Sequence, residues 1–378
     1  WSMGPEILCG TNEELGNPAQ GIMGTFKSKG YFPSISNHPP SFHGDIMVWP
    51  SMGASGAGGR SSIIGFDMSN PDNPKQLWRT WVAPAMDGSQ KDWAIEQCDI
   101  TGGNGWYFEF PRFRETGQLA LNCKDAPEDA VMNDWINMKP NTPHYGEVHT
   151  ASAVSPVWGN MPIDPETGII YLGTGDIGPY PNSTFKFGPN LHGSGIIAID
   201  SATGELVWWF ATNPHDLWDM DCSWGGIIGK SAGTKVLIKA CKNGIVYALN
   251  AATGEPVWVW EAPTTWRTAP DTNYGVDVNG NPGVDGDACC RMIKEHMGKD
   301  WLNYPNTAPT IMSPWLAGAL ESDMAFNGKY VFIANYNDPR WTTTENMREF
   351  GNQATNIELS GHPVNTTIYA VDVNTGEA

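Results

Sequence analysis

Apolar residues in this chain come in short runs broken by glycine, asparagine, aspartate and proline, and stripes at helical period are hard to find. Runs of four to eight residues rich in β-branched and aromatic side chains predict strands, and the punctuating residues predict turns. Four runs stand out: GDIMVWPS (44–51), TGIIYLGTGD (167–176), TKVLIKACKNG (234–244) and GKYVFIANYND (328–338). Each reads as an inner strand lying upstream of a repeated motif.

The repeat is the strongest internal signal. An apolar pair is followed by Ala or Gly, an apolar residue, Asp or Asn, a short turn with Gly, and a Trp. Its clearest copy is IIAIDSATGELVWWF (196–210), and the next is VYALNAATGEPVWVW (246–260). A looser copy, IIGFDMSNPDNPKQLWRTW, spans 63–81, and IYAVDVNTGEA begins at Ile368 and reaches Ala378 before any Trp. Each copy predicts strand, tight turn, strand, with the Gly free to take positive φ. The Trp falls where a ring can lie over a neighbouring unit. The anchors are Asp67, Asp200, Asn250 and Asp372. The middle interval suits one four-stranded blade, and the two outer intervals leave room for long loops or a degenerate blade. The prediction is an all-β propeller with about four recognisable blades. A copy that stops inside the motif leaves an open edge strand, so the ring is expected to continue outside this sequence. A WD40-type propeller fits less well, because the repeat carries TG-x-x-x-W and lacks a GH…WD rhythm.

Composition narrows the setting. The 378 residues include 43 Gly, 29 Pro and 18 Trp, and 41 acidic against 22 basic residues give a net charge of −19. Such a surface repels nucleic acid and anionic membrane. It suits an extracytoplasmic protein, a metal binder or a partner of basic proteins, and also simple solubility. No stretch approaches the ~18 apolar residues of a membrane span. The sequence opens on Trp1 with no visible export signal, so its start is expected to be trimmed or not included. Asn182 and Asn365 begin Asn-x-Thr/Ser sequons, which fit an exported protein. None of the seven cysteines forms a CxxC zinc pattern. Cys98 can pair with Cys123, Cys222 with Cys241, and the adjacent Cys289 and Cys290 with each other. Cys9 is left over.

The repeat resembles the tryptophan-docking motif of the PQQ-dependent alcohol and methanol dehydrogenases. Other segments match that family in order, from roughly residue 40 onward and most firmly between 150 and 260. The resemblance implies an eight-bladed propeller of which this is one single, partial domain, 1–378, truncated at both ends, with long insertions at 82–150 and 261–312. PHDLWDMD (214–221) is its most specific segment. By that likeness Asp219 is the catalytic base, and Asp221 is the additional acid of lanthanide-using members. GTGD (173–176) places Asp176 as a metal ligand beside Asp219 and Asp221. A carboxylate beside a bound cation stays ionised and accepts an alcohol proton. ACKNGIVYALN (240–250) places Lys242 against the quinone oxygens, where a cation stabilises the reduced form. Trp158 lies at the spacing of the tryptophan on which the flat quinone rests. Ser155 or His149 stands for a hydrogen-bonding Thr, and Asn335 and Trp341 resemble later cofactor contacts.

The departures are as informative. Where the family has Gly-Ala-Glu with a metal-binding Glu, this chain has Gly53-Ala54-Ser55. Ala54 and Arg60 keep the register of cofactor-contacting positions. The family's adjacent-cysteine pair lies upstream of that segment, whereas Cys289-Cys290 lies far downstream. Taken with these departures, the resemblance implies a periplasmic or extracellular dehydrogenase using PQQ and a calcium or lanthanide ion. It would oxidise a small alcohol and pass electrons to a cytochrome c or blue copper protein. The alternative is a non-catalytic propeller serving as a structural, assembly or binding module. Self-association is open on the sequence alone.

Overall fold

The computed structural model describes residues 39–51, 61–82, 157–175, 192–212, 221–263, 266–267, 310–313, 320–337, 340–342, 355–356 and 364–378. Every regular element among them is a strand. The first sheet joins β1 (Ser41–His43), β2 (Ile46–Ser51), β3 (Ser62–Asp67) and β4 (Lys75–Trp81) as an antiparallel meander. The second joins β5 (Ile169–Gly173), β6 (Gly195–Asp200) and β7 (Leu206–Ala211), with a further bridge from Ile163 to Ile170. The third contains β8 (Gly226–Ser231), β9 (Thr234–Cys241), β10 (Ile245–Asn250) and β11 (Pro256–Glu261). Beyond it come β12 (Trp266–Arg267), β13 (Thr310–Ser313), β14 (Ala325–Phe326), β15 (Tyr330–Asn337), β16 (Arg340–Thr342), β17 (Thr355–Asn356) and β18 (Asn365–Asp372). Of these, β14, β15 and β18 form the fourth blade, and β12, β13, β16 and β17 form a separate small sheet.

The four inner-strand candidates become β2, β5, β9 and β15. In three blades a further strand, β1, β8 or β14, lies beyond the candidate. These extra strands were not read from the sequence: β1 and β14 are short, and β8 is only half buried.

In the first three blades the repeat forms the last two strands and the turn between them; in the fourth it forms β18 and the turn after it. The first strands of the repeat, β3, β6 and β10, share one burial pattern, five buried residues and a half-buried last one. The small residue of the motif has a specific neighbour. Gly65 is in register with Trp78, Ala198 with Trp208 and Ala248 with Trp258. A larger side chain there would occupy the space of the indole. The register slips one position further on in all three blades, a bulge that starts the turn.

The Asp or Asn anchor closes the turn with its side-chain oxygen. Asp200 Oδ1 accepts from the N–H groups of Ala202 and Thr203 at 2.7 and 3.1 Å. Asn250 Oδ1 accepts from Ala252 at 2.9 Å, and Asp372 Oδ1 from Asn374 at 2.8 Å. Any oxygen at this position serves, so Asn substitutes for Asp.

The tryptophans tie the blades together. Trp78 Nε1 donates to the Ser201 carbonyl at 3.1 Å, Trp208 to Ala251 at 3.0 Å and Trp258 to Val373 at 2.8 Å. Each acceptor directly follows the anchor of the next repeat. The glycine of that next turn takes positive φ, +77° at Gly204, +75° at Gly254 and +71° at Gly376, and the indole lies against it. Trp78 therefore reaches straight from the first blade to the second, and Trp258 from the third blade to the fourth.

The core lies between blades. One cluster joins Tyr171, Trp208 and Phe210 to Leu237, Tyr247 and Leu249; another joins Val236, Ile238 and Val246 to Leu320, Val331 and Val371. Lys235 adds a surface tie, reaching Asp164 at 2.8 Å and Glu166 at 2.6 Å in the turn before β5.

Candidate functional site

Three segments meet where β5 ends and β8 begins. The Cys222 N–H donates to the Thr174 carbonyl at 3.0 Å, and the Lys242 N–H to the Asp221 carbonyl at 3.0 Å. Cys222 and Cys241 form a disulfide with their Cα atoms 4.4 Å apart, as their places in the sequence allowed. The stretch before β8 is thus fastened to β5 on one side and to the turn between β9 and β10 on the other. Asn243 shapes that turn: its Oδ1 accepts the Ile245 N–H at 3.1 Å, and its Nδ2 donates to the Tyr247 hydroxyl at 2.9 Å.

The turn presents Lys242. This is not an exposed strand-end lysine, since only 4% of it reaches solvent. Its Nζ lies 3.2 Å from Asp221 Oδ2 and 3.3 Å from Glu321 Oε1. Asp221 is equally buried. A buried charge needs a partner, and here the ammonium lies between two carboxylates. Burial pushes the Glu321 carboxyl above its usual range, and the Lys242 charge opposes that shift.

Trp158 approaches the same place from the segment before β5. A Cβ at Gly175 would sit 2.7 Å from Asp221 Oδ1 and 2.8 Å from the Trp158 ring. Glycine is thus required for the ring and the carboxylate to share this space. Trp224 meets Trp158 edge-on, with centroids 5.4 Å apart. Gly159 permits the close pass, because a side chain there would strike the Ser223 carbonyl.

The structure therefore brings together Lys242, Asp221 and Trp158, three residues singled out far apart in sequence. Asn335 is buried on β15, in register with Thr367. Trp341 lies on β16, opposite Ile311 and Thr355. Asp176, Asp219, Ala54, Ser55, Arg60, His149 and Ser155 fall outside the described residues, as do Cys9, Cys98, Cys123, Cys289 and Cys290. Among the described residues, no three His, Cys, Asp or Glu side chains converge as a metal cluster. Glu321 was not foreseen. It follows no motif, and in the sequence nothing sets it apart from Asp323 two residues on.

Lys239 is a second buried lysine, 1% exposed on β9. Its side chain runs against Gly173, where a Cβ would lie 2.7 Å from its Nζ, and that nitrogen has no hydrogen-bond partner among the described residues. Burial pushes its pKa down to about 7, against a small upward pull from Asp323.

Comparison with known proteins agrees with this picture. Residues 132–274 match the family described as PQQ: Glucose/ethanol/alcohol dehydrogenase, beta-propeller domain. The dehydrogenase subunit of a quinone alcohol dehydrogenase of Gluconobacter oxydans is 27% identical over 268 residues, covering 61% of this chain and 33% of that protein. The quinohemoprotein alcohol dehydrogenase ADH IIB of Pseudomonas putida is 34% identical over 182 residues, covering 45% of this chain and 26% of that protein. Among solved structures, the quinohemoprotein alcohol dehydrogenase ADHIIG of Pseudomonas putida HK5 superposes with a TM-score of 0.52 at 21% identity, covering 80% of this chain and 37% of that one. The chain spans about a third or less of the length of these two curated relatives. The chain has an all-β propeller fold and is similar, over part of its length, to quinoprotein alcohol dehydrogenases.

Proposed function

We propose that this chain forms part of a PQQ- and cation-dependent dehydrogenase that oxidises a small alcohol. The observation that carries the reading is the buried Lys242–Asp221 pair beside the Trp158 ring. A propeller that served only as a scaffold has no use for a desolvated lysine and carboxylate held next to an indole. The donor chemistry fits the proposed groups. Asp221 offers hard oxygen to a calcium or lanthanide ion. Lys242 offers positive charge to quinone oxygens, and Trp158 a flat apolar surface for a planar ring system.

When bound, the quinone supplies a two-electron acceptor and the cation a Lewis acid. The chain's own residues do the rest. Asp176, Asp219 and Asp221 would hold the cation, and the Asp219 carboxylate takes the proton from the alcohol hydroxyl. Lys242 holds its charge toward the ring oxygens. Ala54, Arg60, Asn335 and Trp341 complete the proposed cofactor contacts. Electrons would pass on to a cytochrome or copper protein in the periplasm or outside the cell, and an acidic surface favours a basic acceptor.

Ser55, standing where the family's metal-binding Glu is expected, favours a second reading: a non-catalytic propeller that keeps the scaffold. Metal analysis and an absorption spectrum separate the two. The dehydrogenase reading expects bound calcium or lanthanide and a quinone band, in the protein as purified or after reconstitution; finding neither sinks it. Replacing the base, Asp219→Asn, should abolish dye-linked alcohol oxidation while far-ultraviolet dichroism stays unchanged. Undiminished turnover would show that another group takes the proton.

A further inference from the structure

Lys242 is held by two carboxylates from different blades. Asp221 leads into β8 of the third blade, and Glu321 precedes β14 of the fourth. A cation bound at Asp221 competes with the Lys242 ammonium for the same carboxylate. An ammonium displaced from its partner inside a dry site is costly unless another acceptor keeps it. Glu321 is placed to be that acceptor, because its Oε1 lies at 3.3 Å from Nζ without involving Asp221.

Glu321 is also built into the fold. Leu320 is fully buried in the core between the third and fourth blades. Asp323 Oδ1 accepts the Gly225 N–H at 2.9 Å, tying this segment to the stretch that carries Asp221. The Glu321 side chain is 28% exposed, so water can approach from its outer side. Its position relative to Lys242 is fixed by neighbours on both sides, which a solvated surface glutamate lacks.

We propose that Glu321 is a positioning residue: its carboxylate retains the Lys242 ammonium when a cation engages Asp221. The proposal rests on the cation-site reading above. It predicts a particular non-additivity. In Glu321→Gln, Lys242 has one carboxylate fewer and holds Asp221 more firmly, so a cation must displace it at greater cost. In a Lys242→Met background there is no ammonium to rehouse, and the same substitution should matter little.

The test uses the full 378-residue chain and terbium(III), read by luminescence on excitation of tryptophan. Glu321→Gln should weaken terbium binding about tenfold. Lys242→Met/Glu321→Gln should bind like Lys242→Met, and Glu321→Asp should recover much of the loss. Equal weakening in both backgrounds would mean that Glu321 acts only through its overall charge, and no weakening would mean that it does not matter; either overturns the proposal. A parallel denaturant double-mutant cycle on Lys242→Met and Glu321→Gln, without metal, tests the hold itself. Additive effects there overturn the proposal whatever terbium does. If terbium fails to bind the unsubstituted chain, the cation-site reading fails, and with it the exchange at Asp221. A coupled cycle in that case leaves Glu321 as the group that positions Lys242.

Discussion

Lys239 and Lys242 lie three positions apart and are both buried, yet among the described residues only Lys242 has carboxylates within ion-pair distance. Lys242 is solvated by charge, whereas Lys239 escapes the cost of burial by giving up its proton. An unfolded lysine keeps its proton up to about pH 10.5, whereas the folded group loses it near 7. The unfolded chain therefore binds more protons between those values, and this residue weakens the fold progressively as pH falls from 10.5 to 7. Lys239→Met, which keeps the length of the stem, should raise stability at pH 7 by up to about 5 kcal/mol, and the gain should shrink toward pH 10.5. Denaturant unfolding across that range checks it; a gain independent of pH would mean that Lys239 is charged in the fold. At this scale the sequence was legible where a residue belongs to a motif, as Lys242 does in its Lys-Asn-Gly turn. It was silent on Lys239 and Glu321, whose surroundings come from β5 and from the approach to β14, far away along the chain.

The strand–turn–strand repeat was the most legible element, because each of its positions has a local physical task. The small residue makes room for the indole across the strand pair, the anchor oxygen closes the turn, and the glycine adopts positive φ. What the pattern does not reveal is that this glycine also touches the tryptophan of the preceding blade. Gly254 has φ of +75°, and a Cβ there would lie 2.7 Å from the Trp208 ring. Gly254→Ala should thus cost about 2–4 kcal/mol, combining backbone strain with displacement of the ring. Asn250→Asp, which keeps the capping oxygen, should stay within about 1 kcal/mol of the parent. Equilibrium unfolding of the two variants gives the comparison; an alanine as benign as the aspartate would show that the turn relaxes freely. The outer strands β1, β8 and β14 were harder to read, since β1 and β14 are too short to carry a period and β8 is only half buried.

For the molecule as a whole, composition led to the net charge of −19 and the repeat led to the blades. The intervals between repeats left long loops and a degenerate blade both open, and they did not reveal that the Trp78–Ser201 and Trp258–Val373 bonds place repeats far apart in sequence side by side in space. The excess of like charge opposes compaction at long range. Raising ionic strength from a low to a physiological level should therefore raise the melting temperature, and a fall would mean that specific ion pairs such as Lys235 with Asp164 outweigh the general repulsion. The tryptophan ties have a direction: each donor belongs to the earlier blade and each acceptor to the later one. A ribosome releases the chain in the same order. Each of the first three blades thus emerges with its indole donor unmet and is completed only by its successor, so assembly works as a latch that each new blade closes on the one before. A defect in one turn would be felt first upstream of the substitution, in the blade whose tryptophan has lost its seat.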